Sequence, residues 1–216
     1  CFAALGGRGR ELTAEDFIYS IKRVADVKTG SGGYWAFDGR IAGLDAFRAA
    51  SKVAPVTDYG LEVEGLRAAG THTLEIRLTR PYPQLPWVLA LSYAMAVPRE
   101  AVEFYGRDFA MHPVGTGPYV LKSHLPNYRL EFARNPKWAE TGRIERYPAA
   151  GPAAAEAAGL LADAGKAVPF ADRIVQYIVA DSSTMWLMFL NGQVEASDIS
   201  RDNWNSVIGP NRALAA

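Results

Sequence analysis

Cysteine is almost absent from these 216 residues: there is one, Cys1. A single thiol closes no internal disulfide, which excludes a small cross-linked scaffold and leaves a hydrophobic core to hold the chain. No CxxC pair or His/Cys cluster is present, so a structural zinc site has no ligand set and no metal is expected. Histidine is scarce too, with His72, His112 and His124 scattered among predicted strands and loops. No HExxH, GxSxG or Cys–His pairing occurs, and Ser92, Ser123 and Ser182 have no base near them in sequence. The reading is therefore of a chain without catalytic residues or cofactor. Charge of one sign is missing as well: 23 Lys+Arg balance 23 Asp+Glu. Phosphate contacts supply most nucleic-acid affinity, so this balance argues against a nucleic-acid partner, and against adsorption to an anionic membrane by charge alone. Long apolar runs are also lacking. The most apolar, Leu85 to Val97, falls short of the roughly 20 residues that span a bilayer and contains Pro86 and Ser92.

What is present is ordinary for a globular chain: 49% hydrophobic and 21% charged residues, enough for one large domain or two small ones. Thr13 is a good N-cap. Glu15 and Asp16 place negative charge in the first helical turn, and Phe17, Ile18, Ile21, Val24 and Ala25 repeat at helical spacing. Gly30 to Gly33 ends that helix as a loop, and the aromatic cluster Tyr34, Trp35 and Phe37 follows. A second amphipathic helix is expected from Ile41 to Ser51. Leu61 to Leu66 and Thr73 to Leu78 alternate like half-buried strands, with Ala68 to Thr71 as the turn between them. A short apolar helix is expected near Trp87 to Leu91, a buried strand from Ala94 to Val97, and a helix from Arg99 to Tyr105 opened by Pro98. Pro113 to Tyr119 is a dense turn signal, its glycines read as permitting positive φ rather than cradling a phosphate, because no Lys follows Gly117. Strands are predicted near Tyr119 to Lys122 and Tyr128 to Ala133.

Residues 140 to 171 are rich in Ala, Gly and Pro and read as a surface excursion, with a short helix around Ala153 to Ala164. A strand follows from Arg173 to Val179. Next comes a helix capped by Ser182 or Ser183, whose run Met185 to Leu190 is apolar on every side and so predicts full burial. Asn191-Gly192 closes it. Val194 to Ser197 reads as a short strand and Arg201 to Ile208 as a last helix.

Four of these pieces carry a resemblance. Leu12-Thr13-Ala14-Glu15-Asp16-Phe17-Ile18-Tyr19-Ser20-Ile21-Lys22-Arg23, Pro113-Val114-Gly115-Thr116-Gly117-Pro118-Tyr119, Leu130-Glu131-Phe132-Ala133-Arg134-Asn135-Pro136-Lys137-Trp138 and Asn191-Gly192-Gln193-Val194-Glu195 are similar, in order and spacing, to motifs of the bacterial extracellular solute-binding proteins, family 5. That family includes the oligopeptide- and dipeptide-binding proteins of ABC importers. Glu195 stands where the family has Asp, and the 140–171 segment is longer than the family's usual link.

The resemblance implies a mixed α/β (α+β) fold of the type II periplasmic-binding-protein kind, with this chain as most of one lobe of a two-lobed receptor. Residues 1–93 would form an accessory subdomain and 94–216 part of a hinge-bearing subdomain, the second lobe lying outside the sequence. Cys1 would then fall inside the parent chain rather than carry a lipid, and an apolar patch is expected where further chain packs. The implied function is capture of a peptide or similar solute in the periplasm or another extracytoplasmic space. Delivery would be to ABC permease subunits in the membrane, by a receptor that is monomeric at full length. The resemblance also places Tyr34, Trp35 and Phe37 near the ligand cleft, and Ser197 and Asp198 in a cleft-facing turn, where the carboxylate would meet a ligand amine. The plainer reading of these residues is core packing for the aromatics and helix capping by Asp198 or Ser200. Rival functions are a hydrolase-like α/β enzyme, a receptor for a nickel chelate, haem, opine or oligosaccharide, and a signalling relative that has lost transport.

Overall fold

The computed structural model describes residues 9–138 and 145–208. Cys1 and the first residues of the Ala/Gly/Pro segment lie outside that range. The chain divides into two compact units, Cys1–Pro118 with Asn135–Arg146, and Tyr119–Arg134 with Tyr147–Ala216.

The first unit is organised by helix α1 (Ala14–Ala25), which starts where the sequence says it should. The Thr13 backbone N–H donates to the Asp16 carboxylate at 2.8 Å and the Thr13 hydroxyl donates to it at 3.1 Å. Arg10 grips the same carboxylate through both terminal nitrogens, at 2.8 and 2.5 Å, and reaches Glu100 at 2.5 Å. One ionic cluster therefore ties the start of α1 to the start of α4 (Arg99–Tyr105), which opens at Pro98 as predicted. Burial works against the Asp16 charge, but these donors outweigh it and hold the carboxyl below the usual aspartate range. Ile18, Ile21 and Ala25, one stripe of the helix, enter a core with Phe37, Ile41, Leu44, Phe47, Val63, Leu66, Val88 and Ala94.

Helix α2 (Leu44–Val53) begins later than its apolar pattern predicts. Gly43, at φ 78°, breaks the chain just before it, and Ile41 bridges to Leu78 instead of turning into helix. The hairpin is also displaced from the expected one. Strand β1 is Leu66–Gly70, which includes residues expected as turn, and it pairs antiparallel with β2 (Thr73–Ile76). Cross-strand partners decide this register. Leu66 meets Ile76 and Ala68 meets Leu74 on the core face, while Arg67 and Glu75 pair at 2.5 Å outside. Ala69 and Gly70 are poor strand formers, and a bulge between Ala68 and Gly70 absorbs them.

Helix α3 (Leu85–Leu89) is short and apolar, as expected. The strand expected at 94–97 is instead a 3₁₀ turn, Ser92–Ala94, followed by extended chain. The Val97 N–H is satisfied by the Ser20 hydroxyl at 2.8 Å, so the segment docks on α1 rather than on a sheet.

The Pro113–Tyr119 turn is held from outside. Asn135 donates its side-chain amide to Gly117 O at 3.0 Å and its backbone N–H to Pro118 O at 2.8 Å. Neither Gly115 nor Gly117 takes a positive φ, so the expected reason for those glycines is corrected.

The second unit contains a three-stranded antiparallel sheet in the order β3 (Tyr119–Leu125), β4 (Arg129–Arg134), β5 (Arg173–Tyr177). Asn127, at φ 57°, makes the β3–β4 turn. Between β4 and β5 the Ala-rich excursion closes on itself, through Tyr147 N–H to Lys166 O at 2.9 Å and Gly165 N–H to Tyr147 O at 3.0 Å. Its helix, α5 (Ala153–Ala157), is shorter than predicted, and Gly159 at φ 70° follows it.

Helix α6 (Ser182–Leu190) is capped by Asp181, whose carboxylate accepts from the Thr184 N–H at 2.6 Å; Ser182 and Ser183 are its first residues, not its cap. Its expected full burial is corrected too. Trp186 is buried, but Leu187 is 56% and Leu190 60% exposed, because among the described residues only one side of the helix is covered. Val194–Ser197 is irregular rather than a strand, and the last helix, α7, is only Trp204–Val207, after a 3₁₀ turn at Arg201–Asn203.

Candidate functional site

The three aromatic residues singled out in sequence go to three different places. All follow the glycine loop, in which Gly30 is left-handed at φ 63° and the Gly33 N–H donates to the Ser31 hydroxyl at 3.2 Å. Residues Tyr34–Ala36 then form a 3₁₀ turn, closed by Phe37 N–H to Tyr34 O at 2.8 Å. A turn of this kind points successive side chains in divergent directions.

Phe37 turns inward and is 1% exposed in the core. Tyr34 lies along α2. Its phenol donates to Asp45, and the Arg48 guanidinium stacks 4.1 Å from its ring centroid while donating to Ala25 O at 2.9 Å. Burial, and after it the Asp45 carboxylate, push the Tyr34 phenol above its ordinary range, so it stays a neutral donor. Trp35 turns outward, 65% exposed, with its ring edge-on to Tyr93 at 6.5 Å. Tyr93 in turn lies on bare backbone at Gly33, where a Cβ would sit 2.2 Å from the Tyr93 ring. Met95, 64% exposed, extends the same apolar segment.

Trp35, Tyr93 and Met95 thus form an outward shelf on a rigid base. Sequence reasoning missed Tyr93 and Met95. The signal was there, in a stretch that alternates Tyr93, Ala94, Met95, with Ala94 alone taken into the core.

Hollows open among the described residues of this unit, and two of them bear on the site. One, of about 220 Å³, adjoins Tyr93 and is lined by Arg23, Ser31, Ser92 and Met95 among others. The other, of about 290 Å³, is lined by Arg10, Asp16, Tyr19, Lys22 and Arg99 among others. In the second, two of the cations are paired with carboxylates: Arg10 with Asp16 and Glu100, and Arg99 with Glu103. Lys22 there is 8% exposed, donates to Tyr59 O at 3.1 Å and is shifted below the ordinary lysine range by burial.

Ser197 and Asp198 belong to the second unit. The Ser197 hydroxyl donates to Asp198 O at 2.9 Å, and the Asp198 carboxylate faces solvent. Ser200, 1% exposed, stands at the N-cap position of the Arg201–Asn203 turn without a side-chain capping bond; its hydroxyl accepts from the Asn203 side-chain amide at 2.7 Å. Among the described residues no three His, Cys, Asp or Glu side chains stand close enough together to hold a metal ion.

A family model of the bacterial extracellular solute-binding proteins, family 5 Middle, matches residues 8–212. The chain belongs to this family.

Family 5 relatives include the periplasmic oligopeptide-binding protein OppA of Salmonella typhimurium, 34% identical over 139 residues, 62% of this chain and 24% of that protein. They also include the probable deoxycholate-binding periplasmic protein YgiS of Escherichia coli, 31% identical over 134 residues, 61% of this chain and 24% of that protein. Among solved structures, Haemophilus influenzae OppA in complex with RPPGFSPFR matches with a TM-score of 0.65 at 17% identity, over 93% of this chain and 35% of that one. That likeness shows the mixed helix-and-strand fold of a periplasmic binding protein, of which this family 5 chain is a part. The chain spans about a quarter of the length of these curated relatives and about a third of that structure's chain. These relatives are named as binding proteins, not as enzymes.

Proposed function

We propose that this chain is part of the substrate-binding component of an ABC importer, capturing a peptide or similar solute outside the cytoplasm and delivering it to membrane permease subunits. The observation that carries the reading is the family match across residues 8–212, and the exposed aromatic shelf gives it chemistry. Trp35 and Tyr93 are rigid faces that lose little entropy on contact, which suits capture of apolar side chains. In this reading residues 1–93 belong to an accessory subdomain and 94–216 to a hinge-bearing one, of a receptor that works as a monomer. Of the residues expected at the cleft, Trp35 is the contact the geometry favours. Tyr34 sets the turn and Phe37 anchors it from the core, while Ser197 and Asp198 are proposed polar contacts within their own unit.

One observation favours a second reading within the same class. Relatives of nearly equal similarity are named for an oligopeptide and for deoxycholate, so the solute here is a peptide or another apolar, charged molecule of that size.

Calorimetry of the full-length protein against di- to pentapeptides and deoxycholate tests both. Saturable binding of a peptide, weakened about five- to thirtyfold by Trp35→Ala, is the expected result, since an aromatic anchor is worth roughly 1–2 kcal/mol. Binding of deoxycholate alone would replace the peptide assignment and keep the receptor.

A further inference from the structure

The hollow beside Tyr93 differs from the other in its lining: carboxylates line the other and none lines this one. No acidic side chain is among its lining residues, and its single cation is Arg23, in the last turn of α1. Arg23 joins none of the ion pairs formed among the described residues. Its guanidinium lies 5.5 Å from the Phe109 ring centroid, a face that orients the fork without using its donors. Of the serine and threonine hydroxyls that line the hollow, Ser20 and Thr29 donate to backbone carbonyls, and Ser31 and Ser92 have protons to give. Ser31 Oγ accepts from the Gly33 N–H, which leaves its own hydrogen free, and Ser92 forms no side-chain bond among the described residues. Guanidinium and hydroxyl donors around one space, with no carboxylate to absorb them, are the donor set of an anion site.

We infer that Arg23, with Ser31 and Ser92, forms a carboxylate subsite adjoining the Trp35–Tyr93 shelf, selecting solutes that carry an anionic group next to an apolar or aromatic one. The inference rests on the capture reading above and adds a specificity determinant to it. Volume supports a subsite rather than a whole site: about 220 Å³ is below the roughly 300–1,000 Å³ of complete ligand pockets and suits one side chain or a chain terminus. On a peptide, the shared chemistry has two sources, the C-terminal carboxylate and an Asp or Glu side chain. The plainer role of Arg23 is to complement the negative end of α1, and lysine would fill that role equally well.

The test takes the tightest peptide from the calorimetric screen of the full-length protein and compares it with two derivatives, one amidated at the C-terminus and one with Glu replaced by Gln. Wild-type protein should lose about tenfold or more in affinity for one derivative, and which one identifies the source of the carboxylate. Arg23→Gln should bind acid and neutral forms alike, at the wild-type affinity for the neutral form. Arg23→Lys, which keeps the helix-end charge, should recover only part of the discrimination because an ammonium lacks the two-pronged fork. Equal weakening of acid and neutral peptides by Arg23→Gln, or no discrimination by wild type, overturns the subsite and leaves peptide capture standing. Binding of no peptide at all overturns the peptide assignment and the subsite with it.

Discussion

Asp16 shows what one side chain settles in this chain. It is 4% exposed, yet it accepts from Thr13 twice and from Arg10 twice, so its charge is compensated at every turn. The folded state therefore releases the Asp16 proton more readily than the unfolded chain does. Stability from this cluster is complete above about pH 4, where an unfolded aspartate is ionised, and is lost as pH falls through the lower folded value. Asp16→Asn should cost about 1–3 kcal/mol at pH 7, since it removes a charged acceptor and puts an amide donor in a buried position facing Arg10 and Thr13. The variant's stability should also respond less to acidification between about pH 5 and 2, measured by urea titration at each pH. A variant as acid-sensitive as wild type would assign the acid transition to other carboxylates. This residue was legible in advance as a first-turn acid; its pairing with Arg10 and Glu100 was not, because Glu100 is distant in sequence.

Elements were legible where the signal is local and illegible where a distant partner decides. The capped, amphipathic α1 and the alternating β2 were read correctly from their own residues. Strand β1 was misplaced because Leu61–Leu66 alternates well while the true strand contains Ala69 and Gly70; pairing with β2, not propensity, chose it. Helix α6 was recognised as helix, but an all-round apolar sequence does not say which side finds a cover.

Gly65 belongs to this scale as well. Its N–H donates to Ala42 O at 2.8 Å and its carbonyl accepts from Arg77 N at 2.9 Å, so three chain segments meet at one backbone. A Cβ there would lie 2.6 Å from Arg77 O and 2.7 Å from Ala42 N, both backbone atoms that cannot swing aside. Gly65→Ala should therefore destabilise by about 2 kcal/mol or more in thermal or urea unfolding, in line with an overpacked interior site. A change within about 0.5 kcal/mol, the range of an ordinary surface substitution, would show that the crossing yields.

At the scale of the molecule, the fold and the family follow from motifs spread along the chain, and residues 8–212 bear them out. The site was half legible. The sequence pointed to the right turn, Tyr34 to Phe37, but a 3₁₀ turn distributes its side chains. Only Trp35 emerges as a broad exposed face, joined by Tyr93 from a segment that read as buried. Neither the hollow beside Tyr93 nor the place of Arg23 in its lining is visible in one dimension, since the hollow draws residues from 20 to 97.

The central claim is that this is a capture protein, and native mass spectrometry of the full-length protein with the peptide and deoxycholate panel tests it most directly. The account predicts a one-to-one noncovalent complex with at least one of these solutes, released unchanged on denaturation and depleted in Trp35→Ala. A full-length protein that retains none of them, or that returns them chemically altered, would contradict it.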